Sequence, residues 1–178
     1  MRHSVVIFGA FALFLFIGTG EIRPQEESVT QDKIPKVVMD ALLARFPKAK
    51  VDECTKAKEF GTVVYDIEFK QEDRKWETDI KENGTYINYE KAIEAKDLPK
   101  VVSDAVEKRY PMSTLKESME ETEVMGKDEK LSAYEVVLAT GDKKYVELKL
   151  SPDGKILEDT GARSQKKRSN RGRTRGRT

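Results

Sequence analysis

Ile34-Pro35-Lys36-Val37-Val38, Asp40-Ala41 and Arg45-Phe46-Pro47 return sixty-four positions later as Leu98-Pro99-Lys100-Val101-Val102, Asp104-Ala105 and Arg109-Tyr110-Pro111. The proline spacing is the same in both copies, and the apolar differences are conservative. A repeat of this kind turns one chain into two copies of a supersecondary unit and bounds the fold before anything else is read. Each copy opens as a helix. Its first proline sits in the first turn, where the missing N–H is not needed, and its second proline closes the segment. Val38, Ala41, Leu42 and Phe46 recur at spacings of three and four, as do Val102, Ala105, Val106 and Tyr110. Each helix therefore has one apolar stripe and a charged back, and must lie on something.

Outward from the helices the period changes to two. Val63, Tyr65, Ile67 and Phe69 alternate with polar neighbours, Glu72-Asp73 makes a short turn, Trp76, Thr78 and Ile80 alternate again, and Asn83-Gly84 turns the chain into Tyr86 to Tyr89. These are half-buried strands joined by tight hairpins. The second copy repeats the order with Tyr134, Val136 and Leu138, then Gly141-Asp142, then Val146, Leu148 and Leu150, then Asp153-Gly154 before Ile156-Leu157. A further strand is expected before each hairpin, near Lys50 to Lys58 and Thr114 to Thr122. The offset has grown to seventy by Glu147, which places an insertion around Glu120 to Lys130. The predicted fold class is α+β: a tandem repeat of one helix plus a four-stranded antiparallel meander, with the helices packed on one face of the sheet.

The two ends are of different material. Arg2 and His3 precede an apolar run from Val5 to Ile17, and Gly18-Thr19-Gly20 offers a cleavage site, the pattern of a secretory signal peptide. The run is shorter than a comfortable transmembrane helix; an uncleaved anchor is the alternative. No cysteine follows it for lipid attachment. The predicted organisation is a signal peptide over 1–20, a linker over 21–32, repeats over 33–95 and 96–160, and a basic tail over 161–178. The protein is expected to be exported, periplasmic or secreted. The whole-chain charge of +1 conceals +8 on residues 163–178 and −8 on residues 26–162. From Arg163 onward the tail lacks apolar residues, and it is expected to be disordered.

The form Leu-Pro-x-x-Val-x-x-Ala-x-x-x-x-Tyr-Pro, carried by Leu98-Pro99, Val102, Ala105 and Tyr110-Pro111, followed by a meander ending in Asp153-Gly154-Lys155-Ile156-Leu157, resembles the PepSY-like, beta-lactamase-inhibitor-like family of exported bacterial proteins. The first copy departs mildly at Ile34, Phe46 and Asn83-Gly84-Thr85, and the resemblance covers residues 33–159. It implies helices on an antiparallel sheet, no cofactor and no catalytic residues. Its inhibitor name reflects shape, and fold does not fix function.

Several short signals point elsewhere and fail on context. Asp159-Thr160-Gly161 matches the aspartic-protease triplet, but that chemistry needs a second carboxylate from a second lobe, and only the basic tail follows. Asn83-Gly84-Thr85 fits a glycosylation acceptor, yet its offset equates it with the turn at Asp153-Gly154. Cys54 is the sole cysteine and the sole histidine is His3, so no thiol–imidazole pair is available, and Cys54 is expected half-buried in a strand. The carboxylates Glu117, Glu120, Glu121, Glu123, Asp128 and Glu129 lack the spacing of a calcium loop around Gly126 and read as a solvated strand edge and loop.

No catalytic, cofactor or metal residues are assigned, and no small-molecule substrate. Tyr65, Phe69, Trp76 and Tyr134 read as core. Tyr86, Tyr89 and Tyr145 are the candidate partner-binding anchors on the wet face of the sheet. Arg171, Arg173, Arg175 and Arg177 are the candidate anion-binding residues of the tail. Two classes of function follow. One is an exported, non-enzymatic binding module that engages another protein, inhibition or regulation of an exported enzyme being its finer form. The other is an envelope or polyanion-binding protein acting through the Arg-rich tail, for which an anionic envelope surface is favoured over nucleic acid.

Overall fold

Three-four spacing in a helix and alternation in a strand both set one apolar face against another. The computed structural model describes residues 26–142 and 144–161. Its α-helices are α1 (Lys36–Arg45) and α2 (Lys100–Arg109). Pro35 and Pro99 are the N-cap residues, with φ of −55° and −56°, so proline's fixed φ launches each helix. At the other end the Phe46 N–H donates to the Leu42 carbonyl at 2.8 Å and the Tyr110 N–H to the Val106 carbonyl at 2.9 Å, immediately before the breaking prolines.

The strands are β1 (Glu27–Ser28), β2 (Lys50–Glu59), β3 (Thr62–Gln71), β4 (Arg74–Lys81), β5 (Tyr86–Ala92), β6 (Thr114–Met125), β7 (Asp128–Ala139), β8 (Tyr145–Leu150) and β9 (Ile156–Asp159). The predicted fold class is corrected here. The strands form one nine-stranded sheet in chain order, β1 to β9, and strand makes up 53% of the described residues against two ten-residue helices. This is not a repeat of a helix and a four-stranded meander. A bare strand edge leaves backbone N–H and C=O groups unpaired, and one continuous sheet leaves two such edges where separate meanders leave four. The stretch around Glu120 to Lys130, expected to hold an insertion and read as a solvated strand edge and loop, lies mostly in strand. β6 and β7 each run twelve residues and meet at a turn where Gly126 has φ +68°.

The chain divides into two compact units. One comprises the described residues up to Lys91 together with Thr122–Lys130; the other comprises Ala92–Glu121 and the described residues from Leu131 onward. In the first unit, Val38 and Leu42 of α1 are fully buried with Ile67, Phe69 and Ile80, and Phe46 joins the same cluster. In the second, Val102 and Val106 of α2 pack with Tyr134, Val136, Leu138, Leu148 and Leu150. Each such side chain stabilises the fold by about 1.5–3 kcal/mol when taken wholly out of water.

The two turns identified in the sequence hold the helices from the side. A Cβ on Gly84 would lie 3.1 Å from Val37 Cγ2, and a Cβ on Gly154 would lie 2.7 Å from the Val101 carbonyl oxygen. Both glycines have φ +84°, a region that favours glycine. The signal peptide assigned to 1–20, the linker up to residue 25 and the tail from residue 162 lie outside the described residues. The rest of the linker contains β1 and a 3-10 turn at Gln31–Lys33. No helix among the described residues is long and apolar enough to cross a membrane.

Candidate functional site

Because β3 turns Tyr65, Ile67 and Phe69 toward α1, period two sends Asp66 and Glu68 to the opposite face. Register then aligns like with like. Glu53 stands opposite Glu68, Glu68 opposite Glu77 and Glu77 opposite Glu90, a row of four carboxylates across β2 to β5. The neighbouring row is Thr55, Asp66, Asp79 and Asn88. Exposure falls along the carboxylate row, from exposed Glu53 through half-buried Glu68 to Glu77 and Glu90 at 5% and 4%. Lys75 Nζ bridges Glu77 at 2.7 Å and Glu68 at 3.4 Å. Asn88 accepts from the Asp79 N–H at 3.0 Å and donates to Asp79 Oδ2 at 3.1 Å. Burial, reinforced by Asp79, Glu77 and Glu68, pushes the Asp66 carboxyl well above its ordinary range. Glu68 is also raised, by burial and then by Glu77, with Lys75 opposing. Directly opposed like charges destabilise a sheet, so this face carries a standing cost.

On the helix side of the same unit, Arg45 organises a second cluster. Its guanidinium carbon lies 4.9 Å from the Tyr86 ring centroid and 5.2 Å from that of Tyr89. Arg45 Nη1 donates to Glu129 Oε1 at 2.5 Å and the Tyr89 hydroxyl to Glu129 Oε2 at 2.7 Å. These two bonds, the arginine's first, hold the Glu129 carboxyl below its usual range. The Tyr86 hydroxyl donates to the Ala41 carbonyl at 3.0 Å. The structure thus brings Tyr86 and Tyr89 together on the helix side rather than on the wet face. A register shift between Asp79 and Ile80 leaves Tyr86 opposite Ile80 and Tyr89 opposite Thr78, both inward-facing positions. Tyr145 lies in the second unit, 56% exposed, on the face opposite its core.

In the second unit, Arg109 Nε and the Tyr110 hydroxyl both donate to Asp159, each at 2.6 Å. The Thr160 hydroxyl accepts from the Glu147 N–H at 2.9 Å, and a Cβ on Gly161 would lie 2.3 Å from the Tyr110 oxygen. Asp159-Thr160-Gly161 is therefore a fastening of α2 to the end of β9, and each of its residue types has a packing reason. Asn83 Oδ1 accepts from the Thr85 N–H at 3.0 Å, closing the turn that the glycosylation pattern overlaps. Cys54 is buried at 3% exposure, deeper than the half-buried position expected, and burial pushes its thiol up to about 12. The thiolate needed for nucleophilic chemistry is thereby suppressed.

The carboxylates read as a solvated edge and loop are placed in strands β6 and β7, and one of them is enclosed. Glu121, 7% exposed, contacts the Lys149 ammonium, which also lies 3.0 Å from Glu135. Alternation along Tyr134 to Leu138 and Val146 to Leu150 leaves Glu135 and Lys149 at outward positions, but spacing carries no register to bring them together. Arg171, Arg173, Arg175 and Arg177 lie outside the described residues.

A family model described as "Putative beta-lactamase-inhibitor-like, PepSY-like" matches residues 20–88 and, in a second overlapping match, 64–158. Among solved structures, one from Bacteroides eggerthii named "putative periplasmic proteins" is 11% identical, with 71% of this chain and 87% of that chain covered and a TM-score of 0.55. A DUF2874 family protein from Bacteroides ovatus is 15% identical, with 72% and 87% covered and a TM-score of 0.53. A BLIP-like protein from Bacteroides fragilis is 19% identical, with 71% and 84% covered and a TM-score of 0.49. At these identities the first two show a shared fold. No curated protein matches the chain.

Proposed function

This chain belongs to the PepSY-like, beta-lactamase-inhibitor-like family, and from that premise we propose that it is an exported, non-enzymatic binding module that engages another protein through the acidic sheet face of its first unit. The observation that carries this reading is the row Glu53, Glu68, Glu77 and Glu90, with Asp66 and Asp79 beside it. With Lys75 between Glu68 and Glu77, the row still makes an acidic face whose potential a basic partner surface would complement. The row runs from an exposed rim inward, so Glu53 and Glu68 would make first contact and the buried members would set the local potential. Inhibition or regulation of an exported enzyme is the finer form of the reading. Export to the periplasm or beyond is supported by the apolar run from Val5 to Ile17 and by the periplasmic name of the Bacteroides eggerthii structure. Tyr145 is the candidate aromatic anchor that faces outward; Tyr86 and Tyr89 would act through the Arg45 cluster.

Affinity capture from exported-protein extracts at two salt concentrations tests the proposal. Glu53→Gln with Glu68→Gln should lose the captured protein while the chain stays folded. Capture unchanged by these substitutions would overturn it. A second reading rests on the eight cations from Arg163 onward, which suit an anionic envelope surface or another polyanion. Removing them abolishes binding under that reading and leaves protein capture intact under the first.

A further inference from the structure

The outer face of the second unit has a charge pattern of its own, and the chain itself supplies a segment that fits it. Glu135, Lys149 and Glu158 lie opposite one another across β7, β8 and β9. Glu121 of β6 contacts the same lysine, and Glu147 sits two residues before it on β8. Lys149 thus stands among four carboxylates in this patch. β9 ends at Asp159, and after Thr160 and Gly161 comes a stretch of seventeen residues, 162–178, with eight cations and no acidic side chain.

Two features of that stretch suit this face. The order Arg171-Gly172-Arg173-Thr174-Arg175-Gly176-Arg177 puts an arginine at every second position, and in an extended chain alternate side chains share one side. Its reach is also ample. Seventeen residues span at most about 56–61 Å at roughly 3.3–3.6 Å each, whereas the three strand-to-strand steps from β9 to β6 cover about 15 Å. Arginine forks pair with carboxylates in a bidentate way that lysine does not reproduce.

We infer that residues 163–178 dock in cis on the outer face of β7 to β9, with arginines of the alternating stretch paired to the half-buried Glu147 and Glu158. The inference concerns the second unit alone and does not rest on the protein-binding reading of the first. It makes the basic segment an internal ligand that covers charge on its own domain.

The test compares the full mature chain with one ending at Gly161 by amide hydrogen exchange at low and high salt. Deletion should speed exchange in β8 and β9 several-fold at low salt, and the difference should vanish at high salt. A synthetic peptide of residues 163–178 added to the shortened chain should restore protection. Glu147→Gln with Glu158→Gln in the full chain should reproduce the deletion, as should serine at Arg171, Arg173, Arg175 and Arg177, changes remote from the core. Equal exchange in the full and shortened chains overturns the inference. So does protection that rises with protein concentration, which assigns the segment to a second copy. Equal binding of the full chain and its Glu147→Gln, Glu158→Gln form to anionic lipid vesicles, with no change in exchange, assigns it to the envelope instead.

Discussion

The C-terminal ends of the two helices begin from nearly the same residues, each with its arginine on a carboxylate, and differ in what the next aromatic residue meets. Arg45-Phe46 leads into a cluster of rings, with Phe46 centroids 4.8 Å from Phe69, 5.0 Å from Trp76 and 5.8 Å from Tyr89. Arg109-Tyr110 leads into a charged clamp, with both side chains donating to Asp159. One hydroxyl separates them. Where the ring meets rings, dispersion and burial hold the helix end; where it carries an oxygen, a carboxylate 49 residues away holds it. The shared part of the repeat is how a helix starts and what it covers, while the divergent part is what its last residue grips.

The starts of the helices offer the largest break in this symmetry. Gly154→Ala drives a Cβ to 2.7 Å from the Val101 carbonyl at positive φ, whereas Gly84→Ala meets Val37 at 3.1 Å. Left-handed strain of about 1–2 kcal/mol applies to both, and overpacking of about 1–3 kcal/mol is added at Gly154. The expected losses in urea unfolding are about 2–5 kcal/mol for Gly154→Ala and about 1–2 kcal/mol for Gly84→Ala. Equal losses would mean that the two turns do not hold their helices at different distances.

The helix ends come next in size. Tyr110→Phe removes one charge-assisted bond to Asp159 and should cost about 1–2 kcal/mol. The reciprocal Phe46→Tyr gains nothing, because its hydroxyl enters a ring cluster at a position only 5% exposed. A stabilised Phe46→Tyr variant would show the two ends to be interchangeable.

The smallest effect contrasts the two outer faces, one with opposed carboxylates and one with Lys149 at its centre. Asp66→Asn should stabilise the chain at pH 7 by about 0.2–1 kcal/mol, the range of a cross-strand charge pair. The folded chain holds the Asp66 proton to higher pH than the unfolded chain does. Parent stability is therefore whole below the ordinary carboxyl range near pH 4 and declines as pH rises toward the raised value. The advantage of Asp66→Asn should accordingly fade as pH falls to about 4, as read from unfolding midpoints across pH.

Much of the local structure was legible because it is written locally. Pro35 and Pro99 mark helix starts, alternation from Val63 to Phe69 marks β3, and Asn83-Gly84 and Asp153-Gly154 mark turns. What spacing does not carry is register. The row Glu53, Glu68, Glu77 and Glu90 depends on three pairings with shifts at Val51/Glu53 and Asp79/Ile80. The second of these shifts puts Tyr86 on the same inward face as Tyr89. Charge density misled at Glu120 to Lys130, where a polar composition reads as loop but twelve-residue strands pair through it. The single sheet was illegible for a similar reason: a repeat shows what each copy contains and is silent on whether strand pairing stops between copies.

Asp159, Thr160 and Gly161 are fastened to Tyr110, Arg109 and Glu147. Whatever follows therefore departs from a fixed point on the surface. A ligand leashed in this way meets its site at an effective concentration in the millimolar range. Ion pairs that hold a free peptide only at comparable, millimolar concentration would stay largely occupied in the tethered chain, and ionic strength would set how often the leash lets go.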